Sequence, residues 1–119
     1  MIELQKYLKE KTHDDLHELG VIVKQDGDLF LFDYNQILSP KYHPVVRECR
    51  GIILDKNNEV IARPFDRFFN YGEEISEKDF DFSNCHVYEK VDGSLIKIFH
   101  YNNHWHVSTR GTVYADYRV

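Results

Sequence analysis

The sequence predicts an α+β fold built mainly on antiparallel sheet, with a helix at the N-terminus. Hydrophobic residues recur at three- and four-residue spacing over residues 2–19, which is the period of a helix packed on one side. After Gly20 the pattern changes to short β-rich runs separated by turn dipeptides. Strands joined by such tight turns are antiparallel. The three dipeptides are Asp26-Gly27, Asn57-Asn58 and Asn102-Asn103.

The N-terminal helical stretch contains a predicted break. Thr12 is a good N-cap residue, so a second short helix is expected to begin there and the first to end near Lys11. Gly20 suits the C-terminus of the second helix. The stretch is too polar for a signal peptide or a membrane span, so no membrane association is expected.

The middle of the chain is expected to continue as hairpins. Residues 21–34 form one hairpin, and residues 39–49, with two prolines, form a loop or a short helical turn. Residues 50–64 form a second hairpin, in which a two-residue turn would place Lys56 opposite Glu59. Residues 65–84 are expected to form an aromatic-rich strand end and then an acidic surface segment with room for one turn of helix.

The last hairpin, residues 94–108, divides into two faces because side chains alternate along a strand. If Tyr101 pairs with His104, the predicted core face carries Ile96, Ile98, His100, Trp105, Val107 and Thr109. The other face carries Lys97, Phe99, Tyr101, His104, His106 and Ser108. His100 then points away from His104 and His106, so surface histidines are favoured over a metal site and no metal ligands are assigned.

Composition narrows the function classes. A chain of 119 residues allows one domain, residues 1–119, with a single modest core. The net charge of −5 argues against a protein that coats nucleic acid, but leaves room for a few cations converging on a phosphate. Cys49 and Cys85 have no pairing or metal spacing and lie beside apolar runs, so buried free thiols and a reducing cytoplasm are expected.

Lys90 lies two residues ahead of an Asp-Gly turn, in the run "KVDGS". Two interpretations are open. Lys90 is an ordinary exposed lysine beside a turn, or it is a nucleophile that the turn places against a nucleotide phosphate. The run alone does not separate them, because Lys-x-Asp-Gly occurs by chance in many turns.

Three further stretches change this balance: "ECRGIILD" at 48–55, "RPFDRFFNYGE" at 63–73 and "STRG" at 108–111. In this order, and with "KVDGS", they resemble the N-terminal half of the adenylyltransferase domain of ATP-dependent RNA ligases, above all the bacteriophage type. The resemblance covers about residues 45–112. It implies a partial nucleotidyltransferase domain with an ATP-grasp-like ligase fold. Four ordered motifs are much harder to obtain by chance than one.

Within this resemblance, Lys90 is the catalytic nucleophile that attacks the α-phosphate of ATP. Such a lysine must be neutral when it attacks, and neighbouring cations and desolvation lower the pKa of a lysine. Gly93 permits a tight turn beneath the nucleotide, and Ser94 can donate hydrogen bonds to its oxygens. Glu89 and Asp92 are expected at the same nucleotide site, Asp92 as the first residue of the turn rather than as a base.

The remaining nucleotide-binding residues also come from the resemblance. Arg50 would contact the triphosphate and Arg110 the sugar-phosphate side, since a guanidinium fork suits phosphate. Phe69 would help form the adenosine pocket, with Arg67 nearby. The alternatives are an edge-strand charge for Arg50 and a core position for Phe68 or Phe69. Some phage relatives carry Lys in place of Arg67 and Arg110, which keeps the charge and changes the hydrogen-bonding geometry.

The implied reaction joins a 5′-phosphate RNA end to a 3′-hydroxyl end through lysyl-AMP, with ATP and Mg²⁺ as cofactors. The family's downstream motifs do not fit within the eight residues after Gly111. The chain is therefore expected to be a fragment that is inactive alone, with the downstream part of a ligase or a second copy as partner. Its expected location is the cytoplasm, which for a phage-type enzyme includes that of an infected host cell.

Two other classes of function stay open. One is a non-catalytic module of ligase descent that binds a nucleotide or an RNA end. The other is a small antiparallel interaction protein in which "KVDGS" is a coincidence. DNA ligases and capping enzymes share the Lys-x-Asp-Gly logic, although the "ECRG" and "RFFN" context favours an RNA ligase. Only an enzyme should form an acid-stable AMP adduct on Lys90.

Overall fold

A computed structural model describes residues 1–73 and 79–115. Its elements are α1 (Glu3–Glu10), α2 (His13–Glu18), β1 (Val21–Asp26), β2 (Leu29–Tyr34), α3 (Pro44–Glu48), β3 (Arg50–Asp55), β4 (Val60–Ala62), a 3-10 turn (Phe82–Asn84), β5 (Ile96–Tyr101) and β6 (His104–Thr109). The strands form a four-stranded sheet in the order β1-β2-β3-β4 and a two-stranded sheet, β5-β6. All paired strands in these sheets are antiparallel. The predicted α+β class with mainly antiparallel sheet is confirmed.

The N-terminal helices break where the sequence predicts. The Thr12 hydroxyl accepts the Asp15 N–H at 3.3 Å, and the Asp15 carboxylate accepts the Thr12 N–H at 2.8 Å, which caps α2. Gly20 follows α2 with a φ of 73°, a conformation that favours glycine. Among the residues described, no helix is both long and apolar enough to cross a membrane.

Of the two predicted turns in the β1-β2 and β5-β6 hairpins, one has the expected residues and one is shifted by a residue. β1 and β2 pair from Asp26 and Leu29 outward, so the turn consists of Gly27, with a φ of 60°, and Asp28 rather than the predicted Asp26-Gly27. β5 and β6 pair outward from the residues that flank Asn102 and Asn103, whose φ values are 56° and 67°. Two consecutive positive φ values give a turn whose twist matches that of antiparallel strands.

The predicted turn between β3 and β4 is wrong in its length. The Asp55 N–H donates to the Glu59 carbonyl at 3.0 Å, so the loop has three residues and Lys56 does not lie opposite Glu59. The Asp55 carboxylate accepts the N–H groups of Asn57 and Glu59 at 2.8 and 3.0 Å. Asn58 closes the loop with a φ of 63°. An Asp side chain that satisfies loop N–H groups favours the longer loop.

Two hydrophobic cores cover opposite faces of the four-stranded sheet. The helix-side core contains Leu4, Leu16, Val21, Phe32, Tyr34, Val45, Val46, Cys49, Ile52 and Leu54. The hairpin-side core contains Leu29, Leu31, Ile53, Ala62, Phe99 and Val113. Because side chains alternate along β3, its neighbouring apolar residues enter different cores. The sheet is thus a central layer between the helices and the β5-β6 hairpin.

The β5-β6 hairpin has the predicted register but buries the opposite face. Tyr101 pairs with His104, as expected, whereas Ile98 is 69% exposed and Trp105 is 73% exposed. The buried face instead carries Lys97, Phe99 and Ser108. Phe99 enters the hairpin-side core, and its two polar neighbours are satisfied by hydrogen bonds to backbone carbonyls. The prediction of the core face is therefore wrong, because these bonds offset the cost of burying polar groups.

Two further expectations need correction. Cys49 is buried as predicted, and burial raises the pKa of its thiol. Cys85 is instead partly exposed after the 3-10 turn, where its Sγ donates to the Phe82 carbonyl at 3.3 Å. Residues 63–70 have no regular secondary structure, so the predicted strand end is absent there. In the acidic segment that follows, the described part contains one 3-10 turn, Phe82–Asn84, while residues 74–78 lie outside the described residues.

Candidate nucleotide-binding site

Lys90 lies on an extended segment between the 3-10 turn and β5, with its side chain exposed. The chain bends at Gly93, whose φ of 147° disfavours any residue with a side chain. The Lys90 side chain lines a cavity of about 230 Å³, called here the Lys90 cavity. Its other lining residues are Tyr34, Gln36, Arg50, Arg67, Phe68 and Arg110.

Three strand ends bring these residues together. Tyr34 is the last residue of β2, and its N–H donates to the Cys49 carbonyl at 2.8 Å. Arg50 is the first residue of β3 and pairs with Asp33 of β2. Arg110 directly follows β6. The "ECRG" and "STRG" motifs, about 60 residues apart in sequence, thus meet at one end of the four-stranded sheet.

Aromatic rings support the arginine side chains. The guanidinium carbons of Arg67 and Arg110 lie 4.7 and 4.6 Å from the centroid of the buried Tyr34 ring. The guanidinium carbon of Arg50 lies 5.0 Å from the centroid of the Phe68 ring. A guanidinium over an aromatic face is attracted by the ring quadrupole and keeps its edge free for hydrogen bonds. These contacts orient the cations without neutralising them.

Two lysines hold the backbone on either side of Arg110. Lys97 Nζ donates to the Thr109 carbonyl at 2.7 Å, and Lys24 Nζ donates to the Gly111 carbonyl at 2.7 Å. We call this lysine pair the Arg110 clamp. Since Lys24 belongs to β1 and Lys97 to β5, the clamp ties the end of the hairpin to the four-stranded sheet.

The Arg110 backbone also lies close to Gly51 of β3. A Cβ added to Gly51 would lie 2.6 Å from the Arg110 carbonyl oxygen and 3.0 Å from Lys97 Nζ, and the φ of Gly51 is +90°. Burial lowers the pKa of Lys97 to about 8, although the nearby Asp33 carboxylate acts in the opposite direction. The same carboxylate accepts a hydrogen bond from Arg110 Nε at 2.9 Å. Gly51 therefore permits the approach that places Arg110 in the cavity.

The cavity has unbalanced positive charge. Arg110 is paired with Asp33, but within residues 1–73 and 79–115 neither Arg50 nor Arg67 has a carboxylate within ion-pair distance. Arg67 Nη1 is buried there without a hydrogen-bond partner. Unpaired guanidinium groups beside an exposed amine suit an anion with several oxygen acceptors, and phosphate has that chemistry.

The other predicted site residues lie around this cavity rather than in it. Glu89 lines an adjoining cavity of about 530 Å³ together with Lys90 and Arg67. Gly93 and Ser94 line a third cavity, of about 450 Å³, together with Arg110. Asp92 is exposed and lines none of these three cavities.

Phe69 does not line the Lys90 cavity. Its ring packs against Tyr42, with centroids 5.3 Å apart, and the guanidinium carbons of Arg47 and Arg67 lie 5.5 and 5.6 Å from it. Phe68 lines the cavity instead. Phe69 therefore contacts Arg47 and Arg67 but is not part of the lining of the Lys90 cavity. The exposed ring in that lining belongs to Phe68.

Sequence reasoning did not identify Tyr34, Gln36 or Arg47, and it considered Phe68 only as a core residue. Tyr34 ends an apolar strand, where an aromatic residue indicates a core position rather than a site. Arg47 lines the adjoining cavity but belongs to no motif. The one available signal was its position three residues before Arg50, a second arginine at the end of a short predicted helical turn.

The residues present fit ATP phosphates better than a bare metal ion. In the described part of the chain no group of three His, Cys, Asp or Glu side chains could hold a metal. Mg²⁺ at nucleotide sites is commonly bound through substrate phosphates and one or two carboxylates. The arginines at the Lys90 cavity supply hydrogen-bond donors for the phosphates themselves.

The family to which this sequence is similar is matched over the segment that contains the four sequence motifs. The RNA ligase family model matches residues 48–117. A protein of Autographa californica nuclear polyhedrosis virus, named as a bifunctional polynucleotide kinase/RNA ligase, is 46% identical over 101 residues, or 76% of this chain and 15% of that protein. An RNA ligase of Rhodothermus phage RM378 is 28% identical over 132 residues, or 90% of this chain and 30% of that protein.

A third relative, RNA ligase 1 of bacteriophage TS2126, is 31% identical over 90 residues, which is 65% of this chain and 22% of that protein. The chain thus spans less than a third of the length of each of these relatives. No solved structure matches significantly. The family model covers more than half of the sequence, including the "ECRG", "KVDGS" and "STRG" motifs that the fold brings to one site. The chain therefore belongs to the RNA ligase family.

Proposed function

We propose that this chain is the N-terminal part of the nucleotidyltransferase domain of an ATP-dependent RNA ligase, with Lys90 as the nucleophile. The observation that carries the proposal is the Lys90 cavity, in which three arginines from separate motifs converge on one lysine. An ordinary surface lysine beside a turn has no need of such neighbours. Membership of the RNA ligase family supports the same reading.

The first step transfers AMP to the protein. The Lys90 amine attacks the α-phosphorus of ATP, forms a phosphoramidate bond and loses a proton to solvent, while the bond to the β-phosphate breaks and pyrophosphate leaves. In the second step AMP moves to the 5′-phosphate of an RNA. In the third, an RNA 3′-hydroxyl attacks that phosphate and releases AMP. Mg²⁺ bound to the phosphates supplies charge neutralisation.

The residues of this chain bind and orient the nucleotide. Arg50 and Arg67 donate hydrogen bonds to phosphate oxygens, because both guanidinium groups are unpaired in the described structure. Arg110, fixed by Asp33 and the Arg110 clamp, contacts the sugar-phosphate side. Phe69, which packs against Arg67, is kept at the adenosine pocket in this proposal, and the exposed Phe68 ring, which lines the Lys90 cavity, joins it there.

Glu89, Asp92, Gly93 and Ser94 complete the nucleotide site in this proposal. Gly93 and Ser94 line a cavity with Arg110, which supports a role for their N–H and hydroxyl groups at the sugar-phosphate side. Glu89 shares a cavity with Lys90. Asp92 lies between Lys90 and the bend at Gly93, and in this proposal it helps to present Lys90.

Complete ligation is expected to need residues beyond this chain, since the relatives are several times longer. The proposed substrates are RNA ends carrying a 5′-phosphate and a 3′-hydroxyl, and the proposed location is the cytoplasm. The proposed partner is the downstream part of a ligase, with self-association of the chain as the alternative. Loss of one group that stabilises a transferring phosphoryl group costs roughly 10²- to 10³-fold in rate, so the chain alone is expected to be slow or inactive.

Intact-protein mass spectrometry tests the proposal. The chain is incubated with ATP and Mg²⁺, alone and with the downstream part of a related ligase. We expect an increase of one AMP in mass that survives acid and is absent from Lys90→Ala. Lys56→Ala, which removes an exposed lysine in the β3-β4 loop, is the matched control and should retain the adduct.

Absence of the adduct from a folded chain, even with the downstream part present, would contradict the enzymatic proposal. If the same chain still bound ATP through Arg50, the result would instead support the non-catalytic nucleotide-binding module. Binding is measured by titration calorimetry with Arg50→Gln as the comparison.

A further inference from the structure

A second cavity adjoins the Lys90 cavity, and four of its lining residues, Arg47, Phe65, Asp66 and Tyr88, have no role in the mechanism above. It has a volume of about 530 Å³ and shares Arg67, Phe68 and Lys90 with the Lys90 cavity. We call it the Arg47 cavity, after the residue that no sequence motif identified. Its remaining walls are Phe65, Asp66, Tyr88 and Glu89.

Arg47 lines this cavity and carries one donor that has no partner among the described residues. It lies in the last turn of α3, and its Nε is buried without a hydrogen-bond partner in the described part of the chain. Arg67 Nη1 has the same property. The Arg67 N–H donates to the Arg47 carbonyl at 2.7 Å, and both guanidinium groups lie over the Phe69 ring. The backbone bond and the shared ring keep the two side chains, each with one unpartnered donor atom, beside each other.

The described residues supply no acceptor for these two donors. A buried donor without a partner costs about 1 to 3 kcal/mol, which a bound ligand can recover. Of the two carboxylates that line the cavity, Asp66 and Glu89, Asp66 already accepts a hydrogen bond from Arg63 Nη2 at 3.1 Å. Two neighbouring guanidinium groups match an anion with several oxygens, and phosphate has that geometry.

The aromatic side chains that line the cavity restrict the class of ligand further. Phe65 is 80% exposed, Tyr88 is 82% exposed and Phe68 is 53% exposed, although all three are large apolar side chains lining one cavity. Exposed rings beside cations are the composition of sites that bind single-stranded nucleic acid, where bases stack on rings and phosphates contact the cations. A free inorganic phosphate would make no use of the rings.

We infer that the Arg47 cavity binds the 5′-phosphate end of the RNA after pyrophosphate has left, with Arg47 and Arg67 on the phosphate and the exposed rings of Phe65 and Tyr88 against the terminal base. This inference rests on the proposed function, because a 5′-phosphate that accepts AMP must come close to Lys90. The Arg47 cavity meets that requirement because Lys90 lines both cavities. Arg47 is then the residue that distinguishes a 5′-phosphate end from a 5′-hydroxyl end.

The test measures binding without ATP, so that no transfer of AMP takes place. A fluorescent oligoribonucleotide of about six residues is titrated with the chain, once with a 5′-phosphate and once with a 5′-hydroxyl. We expect a preference for the phosphate of roughly tenfold, typical of charge-assisted hydrogen bonds. Arg47→Gln should abolish the preference. Arg47→Lys, which keeps the charge but loses the Nε donor, should retain only part of it.

Two controls keep the result interpretable. Lys56→Gln changes the charge in the same way, outside the cavity, and should leave the preference unchanged. Tyr88→Ala removes a side chain that is 82% exposed, so folding is unaffected, and should weaken both oligonucleotides equally while the preference remains. Circular dichroism of each variant confirms that the fold is retained.

Two outcomes would overturn the inference. Equal weakening of both oligonucleotides by Arg47→Gln would show a general electrostatic contribution. Loss of ATP binding with an unchanged 5′-phosphate preference would assign Arg47 to the triphosphate. The AMP adduct on Lys90 is measured in a separate assay. If only that assay fails, the proposed function is contradicted and the evidence for 5′-phosphate binding by Arg47 is unaffected. If only the binding assay fails, the inference about Arg47 is contradicted and the assignment of Lys90 as nucleophile is unaffected.

Discussion

The four-stranded sheet and the β5-β6 hairpin follow the same alternation rule, yet they bury different kinds of residue. In the sheet, β3 buries Ile52, Ile53 and Leu54, one face in each core. In the hairpin, Lys97 and Ser108 are buried while larger apolar side chains face outward. The difference indicates two tasks. The sheet provides stability through apolar burial, whereas the hairpin is oriented by hydrogen bonds that hold Arg110 in the site.

The largest effect should come from the sheet. Phe32→Ala removes a fully buried ring from the helix-side core and is expected to lower the free energy of unfolding by about 3 to 5 kcal/mol. Trp105→Ala, on the exposed face of the hairpin, is the contrasting variant and should change it by about 0.5 kcal/mol or less. Urea unfolding followed by circular dichroism measures both. Similar losses in the two variants would remove the distinction between the regions.

An intermediate effect is expected where the two regions touch. Gly51→Ala would bring a Cβ within 2.6 Å of the Arg110 carbonyl oxygen at a φ of +90°, so we expect a loss of about 1 to 3 kcal/mol and little AMP adduct on Lys90. Gly27→Ala is the matched control, because its φ is +60° but no atom lies within 4 Å of the added Cβ. That variant should lose about 1 kcal/mol and keep the adduct. An adduct retained in both variants would mean that the position of Arg110 is not critical.

The smallest effect depends on pH and concerns the buried lysine. The pKa of Lys97 is lowered to about 8 in the native state from its ordinary value of 10.5. Between these values the unfolded lysine holds a proton that the native one has lost, so the free energy of unfolding rises with pH across this window. Below about pH 8 both states are protonated, and the destabilisation by the buried ammonium is fully present.

Lys97→Met removes this titration while keeping an unbranched side chain in place. The stability of the wild type relative to this variant should therefore increase between about pH 7 and about pH 9.5, and urea unfolding at both values measures the change. Other ionisable groups cancel in the comparison. A difference that stays constant over this range would show that Lys97 does not titrate there.

Local chemistry explains which parts of the fold were predictable. Thr12 and Gly20 were recognisable because a helix cap and a helix C-terminus each need one specific kind of side chain. The Asn102-Asn103 turn was recognisable because Asn tolerates positive φ. The buried face of the hairpin was not, because Lys97 and Ser108 are satisfied by distant backbone carbonyls that no local pattern reveals.

The candidate site likewise contains some residues that the sequence could identify and others that it could not. Arg50, Lys90 and Arg110 were identified through motifs in a recognisable order, and the fold brings all three to one cavity. Which of Phe68 and Phe69 lines the Lys90 cavity was not predictable, because residues 63–70 form no regular strand and side-chain alternation does not apply to them. Arg47 reaches its cavity only through the packing of α3, so a single sequence carries no motif for it.

The unequal surroundings of the two cysteines have a practical consequence. The Cys49 thiol is buried in the helix-side core with a raised pKa, whereas Cys85 is partly exposed. A maleimide dye should therefore attach selectively at Cys85, since labelling requires an accessible thiolate. That position precedes Lys90 by five residues, on the segment that leads to it. The natural sequence thus offers a single attachment point for a reporter of ligand arrival, without the removal of either cysteine.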